Sequence, residues 1–203
     1  MTQKTTQFTT NILQDGNSIR GFLEAVSETK ITEIKRIYTG DDLVDLFGHA
    51  GLLFELPNPD IMIEDGGHNC YIIRCMQDRG EDLEQLRHCY QRAADRYYFA
   101  QAESGADFPE LYIIFICDYD YYGLGHAMYY MDDIYDGYEI DNGRHMVVLN
   151  SQYRIANAAP QIIGALDSIR AKKIVRRQKI RNGAGAATVP APRCFMRCVL
   201  KIK

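Results

Sequence analysis

The chain reads as an α/β protein with a mixed sheet. Three features point there: two short apolar strands around an Asp-Gly-Gly turn, a long helical stretch directly after them, and a third strand, Leu111 to Cys117, that is apolar throughout. Strand, strand, helix, strand is an order that places parallel and antiparallel neighbours in one sheet. A strand with no alternation is the kind buried on both faces.

Each element has its own warrant. Ser18 to Val26 carries apolar residues at Ile19, Phe22, Leu23 and Val26, spacings of 3, 4 and 7 that make one face of a helix, with Asn17 or Ser18 as cap. Ile31 to Tyr38 alternates as a strand does, although Ile31, Ile34 and Ile37 also permit a helical turn. Asp41 to Phe47 is open between a short helix and a loop, and Pro57 and Pro59 break what precedes them. Asp60 to Glu64 and Cys70 to Met76 flank Asp65-Gly66-Gly67 as a hairpin. In Gly80 to Gln101, Leu83, Leu86, Tyr90, Ala94, Tyr97 and Ala100 approximate one helical face, and Glu103-Ser104-Gly105 ends it. A tyrosine-rich loop with Gly123 and Gly125 follows the buried strand. Two later strands, Ala127 to Met131 and His145 to Leu149, are separated by an Asp141-Asn142-Gly143 turn, and Pro160 to Ala171 reads as a helix. Asn182 to Pro192 is low in complexity, as a flexible linker is.

The composition is that of a globular domain: 203 residues, 46% of them hydrophobic and 25% charged, which excludes collagen-like, mucin-like and wholly disordered chains. No apolar run approaches the roughly 18 residues a membrane span needs. The N-terminal stretch lacks an apolar signal core, so the expected location is the cytoplasm, with the six cysteines as free thiols. The formal net charge of −4 hides two unlike parts. No acidic residue follows Asp167, and eleven Lys and Arg stand from Arg170 onward, which leaves about −15 on the first 169 residues. A basic tail on an acidic body suggests nucleic acid or another anionic surface as partner, against the plainer reading of a solvated extension. The domain reading is a short N-terminal segment over 1–17, a domain over 18–170, and a flexible basic tail over 171–203.

The hairpin carries the chemistry. Turning at Gly66-Gly67 pairs residue 60 with residues 73 to 75, and residues 75 and 77 share a strand face. Asp60, Cys75 and Gln77 therefore converge at one end of the sheet, beside the start of the long helix. A carboxylate there, with a second acid two residues before a Lys or Gln, makes a phosphodiesterase centre: hard oxygen ligands hold Mg²⁺, and the metal polarises the phosphate and activates water.

Pro59-Asp60-Ile61-Met62-Ile63-Glu64-Asp65, a Gly-rich turn, and a strand ending Met76-Gln77 resemble the PD-(D/E)XK nuclease core. More narrowly, they resemble the bacterial recombination-promoting nucleases, the PD-(D/E)XK nuclease family transposases. The likeness runs through Phe22 to Val26 with Lys30 to Glu33, Tyr90-Gln91 and Asp95, Gly105 to Leu111, Ile113 to Asp118, Gly123, and Val148-Leu149-Asn150, spanning about residues 18–170. It implies a restriction-endonuclease-like fold and Mg²⁺- or Mn²⁺-dependent hydrolysis of DNA phosphodiesters. Asp60 would be a metal ligand, Gln77 would stand in the Lys position, and Glu24 would be a further carboxylate from the early helix.

Two departures sit side by side. The family's Glu is Cys75, and the apolar residue before it is Arg74. The family's arginines before Tyr-Gln fall on Leu86 and His88. Soft sulfur is a poor Mg²⁺ ligand, so metal binding and cleavage are expected to be weak or lost. The first alternative is a DNA-binding module that never cuts and grips phosphates through Lys172, Lys173, Arg176, Arg177, Lys179 and Arg181. The second is a zinc protein built on Cys70, Cys75, His88 and Cys89, whose spacing fits no finger or ribbon. Glu64 and Asp65 are expected on the hairpin surface.

Overall fold

The structure, a computed structural model, describes residues 16–48, 58–77, 79–101, 108–131, 133–135, 138–140, 142–181 and 200–201. The elements run α1 (Gly16–Ser27), β1 (Ile34–Thr39), α2 (Asp41–Gly48), β2 (Ile61–Asp65), β3 (Asn69–Met76), α3 (Leu83–Gln101), β4 (Glu110–Cys117), β5 (Met128–Met131), β6 (Asp133–Tyr135), β7 (Tyr138–Ile140), β8 (Arg144–Asn150), α4 (Pro160–Arg181) and β9 (Leu200–Lys201). One mixed sheet has the order β1-β2-β3-β4-β8-β5-β9, and β6 and β7 form a separate ribbon. β3, β4 and β8 are parallel to one another, while β1–β2, β2–β3, β5–β8 and β5–β9 are antiparallel. The α/β class with a mixed sheet is as the sequence predicts. Helix α3 supplies the crossover that a parallel β3–β4 pair needs.

Period-2 alternation divides the strand side chains between two cores. Ile61, Ile63, Ile73, Ile114 and Val147 face Ile19 and Leu23 of α1 and Ile162 and Leu166 of α4. Met62, Ile72, Phe115 and Val148 face Leu43 of α2 and Leu86 and Tyr90 of α3. Such fully buried side chains contribute about 1.5–3 kcal/mol each to the hydrophobic driving force. The sheet is thus covered on both sides, which is why β4 needs no polar face.

The hairpin is closed from inside. Asp65 is buried, and its carboxylate accepts the N–H groups of Gly67 (2.8 Å) and Asn69 (2.9 Å), the Asn69 amide (2.8 Å) and the Tyr71 hydroxyl (3.2 Å). Glu64 is partly buried and accepts the Tyr98 hydroxyl at 2.7 Å. Neither is the surface residue the sequence suggests. A carboxylate that ties up several donors of a tight turn is worth more inside than out.

Helix α4 runs ten residues beyond the predicted Ala171, to Arg181. The sequence places a boundary at residue 170, where charge changes, but charge does not stop a helix. Residues 171–181 are mostly Ala, Lys, Arg, Gln and Ile, without Gly or Pro until Gly183. Residues 1–15 and 182–199, with Cys194 and Cys198, and 105–107 of the predicted motif lie outside the described residues. No described helix is long and apolar enough to cross a membrane.

The tyrosine-rich loop is organised by Asp120, which accepts Gly123 N–H (3.0 Å), Gly125 N–H (2.7 Å) and the Tyr129 hydroxyl (2.9 Å). Gly125 has φ +81°, and a Cβ there would lie 2.9 Å from Arg154 Nε. Gly125→Ala is therefore expected to lower stability by more than about 1 kcal/mol, read as a lower urea midpoint at unchanged slope.

Candidate functional site

Asp60 stands just before β2, with its N–H on the Ile73 carbonyl at 2.9 Å, and Ile61 pairs with Ile73. This is the register that the hairpin turn predicts, and it carries Asp60 to the end of β3. Its carboxylate is already engaged. Oδ2 accepts the Cys75 N–H at 2.6 Å, and Oδ1 accepts from the Arg74 guanidinium at 3.3 Å. The Asp60 side chain is 2% exposed and that of Arg74 17%. Burial pushes the Asp60 carboxyl above its ordinary range. The Cys75 N–H and the Arg74 charge oppose that shift without cancelling it.

Arg74 makes two further contacts. It donates to the Asn58 carbonyl at 3.1 Å and pairs with Glu81 at 3.8 Å. Glu81 lies in the turn before α3, so one guanidinium joins the entry to β2, the end of β3 and the approach to α3. Tyr90 of α3 is buried beside this group, and burial raises its hydroxyl pKa well above the ordinary value. Nearby, the Arg79 guanidinium lies 5.2 Å from the centre of the Tyr119 ring. The sequence shows Arg74 only as an arginine in a place for an apolar residue. Its reach to Asn58, Asp60 and Glu81 depends on the turn geometry at both ends of the hairpin.

Cys75 is half-buried as a residue and packs against the α1–α4 core. Burial pushes its thiol well above the ordinary range, and the neighbouring Asp60 carboxylate adds to the shift. A thiol pushed upward in this way holds little of the thiolate that nucleophilic attack uses at neutral pH. Gln77 follows β3 and is exposed. Glu24 is used elsewhere: its carboxylate accepts the Ile31 N–H at 2.9 Å and joins α1 to the segment before β1.

The residues present do not fit Mg²⁺ or Mn²⁺. Each oxygen of Asp60 already accepts a hydrogen bond from the chain, the Arg74 guanidinium brings positive charge against it, and the position that the resemblance gives to a second acid is a thiol. No group of three or more His, Cys, Asp and Glu that could hold a metal exists among the described residues. The four residues of the zinc reading are not gathered. Cys70 lies in the α3-side core and Cys75 packs against the other, five residues along the same strand.

The basic helix is the second candidate. The backbones of Lys172, Lys173, Arg176, Arg177, Lys179 and Arg181 belong to α4, and their side chains lie outside what the structure describes. Ile162 and Leu166 are fully buried, and the same helical stripe continues through Ile169 to Lys173 and Arg176. The stripe turns from apolar to basic as the helix proceeds. Arg170, counted with the tail by charge, is used internally. It donates to the carbonyls of Ser151 (2.8 Å) and Tyr153 (2.6 Å), and its guanidinium lies 4.2 Å from the centre of the Tyr153 ring.

Compared with protein-family models, curated proteins and solved structures, the chain matches none.

The state of Cys75 is open to direct measurement. In the folded protein at pH 8, Cys75 is expected to resist iodoacetamide while modifying fully in denaturant, as read by peptide mass mapping. Rapid labelling of the native chain would show a thiolate-bearing, accessible Cys75.

Proposed function

We propose that this chain is a DNA-binding protein of PD-(D/E)XK nuclease descent, akin to the recombination-promoting nuclease and transposase group, that holds DNA without cutting it. One observation carries the second half of that reading: the carboxylate at the motif's metal-ligand position is closed off by Arg74 and the Cys75 N–H. Cleaving a phosphodiester by metal-activated water needs free carboxylate oxygens around a divalent ion. Here each oxygen already accepts a hydrogen bond from the chain, and no acid stands at position 75.

The family half of the reading is supported by element order. An early helix, a following strand, the hairpin, a long helix and a buried strand stand in the sequence implied by the resemblance, as α1, β1, β2–β3, α3 and β4. A restriction-endonuclease-like arrangement of that sheet, and a cytoplasmic location, belong to the same proposal. DNA binding is supported by the division of charge and by the helical backbone under six of the tail's cations. Those residues would contact phosphates, which carry no sequence information in themselves.

The test has two arms. Supercoiled plasmid with Mg²⁺ or Mn²⁺ should show no more nicking with the wild-type protein than with Asp60→Ala. Fluorescence anisotropy with a labelled duplex should show binding that weakens steeply with salt. Replacing Lys172, Lys173, Arg176, Arg177, Lys179 and Arg181 together by Ala should flatten the log–log salt slope by about 0.9 for each phosphate that is no longer neutralised. Metal-dependent nicking that Asp60→Ala abolishes would overturn the non-cutting reading. An unchanged slope in the six-fold variant would remove the helix from the interface.

A further inference from the structure

Arg74 is an unusual resident. Its neighbours Ile72, Ile73 and Met76 are fully buried or nearly so, and it occupies a strand position facing the α3 side of the sheet. A long cation at such a place must find partners, since burying an unpaired charge costs several kcal/mol. It finds three oxygens from two segments, the entry to β2 and the approach to α3: Asp60 Oδ1 at 3.3 Å, the Asn58 carbonyl at 3.1 Å and Glu81 Oε1 at 3.8 Å. Two carboxylates and a carbonyl around one positive centre form the kind of oxygen set that hard divalent cations take. The fit to a guanidinium is incomplete. Arg74 Nε and Glu81 Oε2 are buried without a hydrogen-bond partner, whereas buried polar atoms are ordinarily satisfied.

We propose that the Arg74 guanidinium is the resident cation of this acidic site, cross-linking Asp60, Asn58 and Glu81 and closing the site to divalent metal. The inference deepens the non-cutting reading, but it rests on the ion-pair geometry and makes no use of DNA binding. It assigns Glu81 a role that no motif suggests: the second carboxylate beside Asp60, supplied from the approach to α3 in place of the acid missing at Cys75. It also makes the two adjacent departures a coupled pair. With Arg74 present, an acid at position 75 meets a site already neutralised, so Cys75→Glu alone does not restore a metal centre.

The experiment is thermal unfolding and Mn²⁺ titration of the full chain, with Mn²⁺ binding read by loss of its free electron-spin signal. Wild type should show no specific Mn²⁺ binding and no shift of melting temperature with the metal. Arg74→Leu should melt several degrees lower, because two carboxylates lose their counter-charge. It should bind Mn²⁺ at least about tenfold more tightly than wild type and regain stability as the metal is added. Arg74→Lys should keep the site closed. Arg74→Leu/Glu81→Gln should lose the acquired Mn²⁺ binding, which separates a cation site from general loosening. Should Arg74→Leu fail to fold without metal, refolding with and without Mn²⁺ reads the same question: metal-dependent recovery supports the proposal, and no recovery overturns it. Mn²⁺ binding by wild type that Asp60→Asn abolishes would overturn it, as would an Arg74→Leu protein that melts like wild type and ignores the metal. A protein that passes these tests yet binds no duplex would sink the DNA reading and leave this one standing.

Discussion

The register of β3 governs where the functional groups lie. This strand is antiparallel to β2 on one side and parallel to β4 on the other, with residues of both faces buried. A slip of one residue against either neighbour would exchange its two faces and put Arg74 among the apolar residues under α1. The hairpin end at Asp65 holds the register on one side, through four hydrogen bonds to a single carboxylate. The opposite end is held by Asp60, on the Cys75 N–H and Arg74. Two buried aspartates, one at each end of β2, thus serve as fasteners of the same strand pair. The first fastens a turn, and the second occupies the place where the resemblance puts chemistry.

That double duty bears on how the site reads. An aspartate held by a guanidinium and a backbone N–H contributes to fold specificity, and a cation must compete with those donors for its oxygens. A metal-binding site keeps its carboxylates under-satisfied by protein, so that a cation completes them. In this chain the completion comes from a side chain of the adjacent strand, and the charge requirement is met within the fold itself. Burial raises the Asp60 carboxyl even with the Cys75 N–H and Arg74 beside it, so these partners offset only part of its desolvation.

Much of this is legible in the residues alone, for identifiable reasons. The Asp-Gly-Gly turn and the alternation around it pair residue 60 with the end of β3, because hairpin register follows from turn position and a period of two. The unbroken apolar run of Leu111 to Cys117 announces a strand covered on both faces. What the sequence hides has one common cause: local patterns carry no information on what covers a residue from elsewhere. Asp65 and Glu64 look like surface because acids beside a turn usually are; Tyr71 and Tyr98 come from β3 and α3 to cover them. The end of α4 escapes a reading by charge, since a change of charge is not a change of backbone. Glu24 looks available, and its use by the Ile31 N–H is a loop contact seven residues away. Arg74 is visible as an anomaly, while its three partners come into view only with the turn geometry.

The fastening of α4 at Arg170 has a mechanical side. The helix is held to the end of β8 by two carbonyls and an aromatic face at about its midpoint, with the apolar contacts of Ile162 and Leu166 behind that point. A sideways load on the helix is carried in part by these contacts, at Ser151 and Tyr153. Ser151 in turn donates its N–H to the Cys117 carbonyl, at the end of β4 and next to the end of β3. A force on α4 that passes through these bonds reaches the same end of the sheet that holds Asp60 and Arg74.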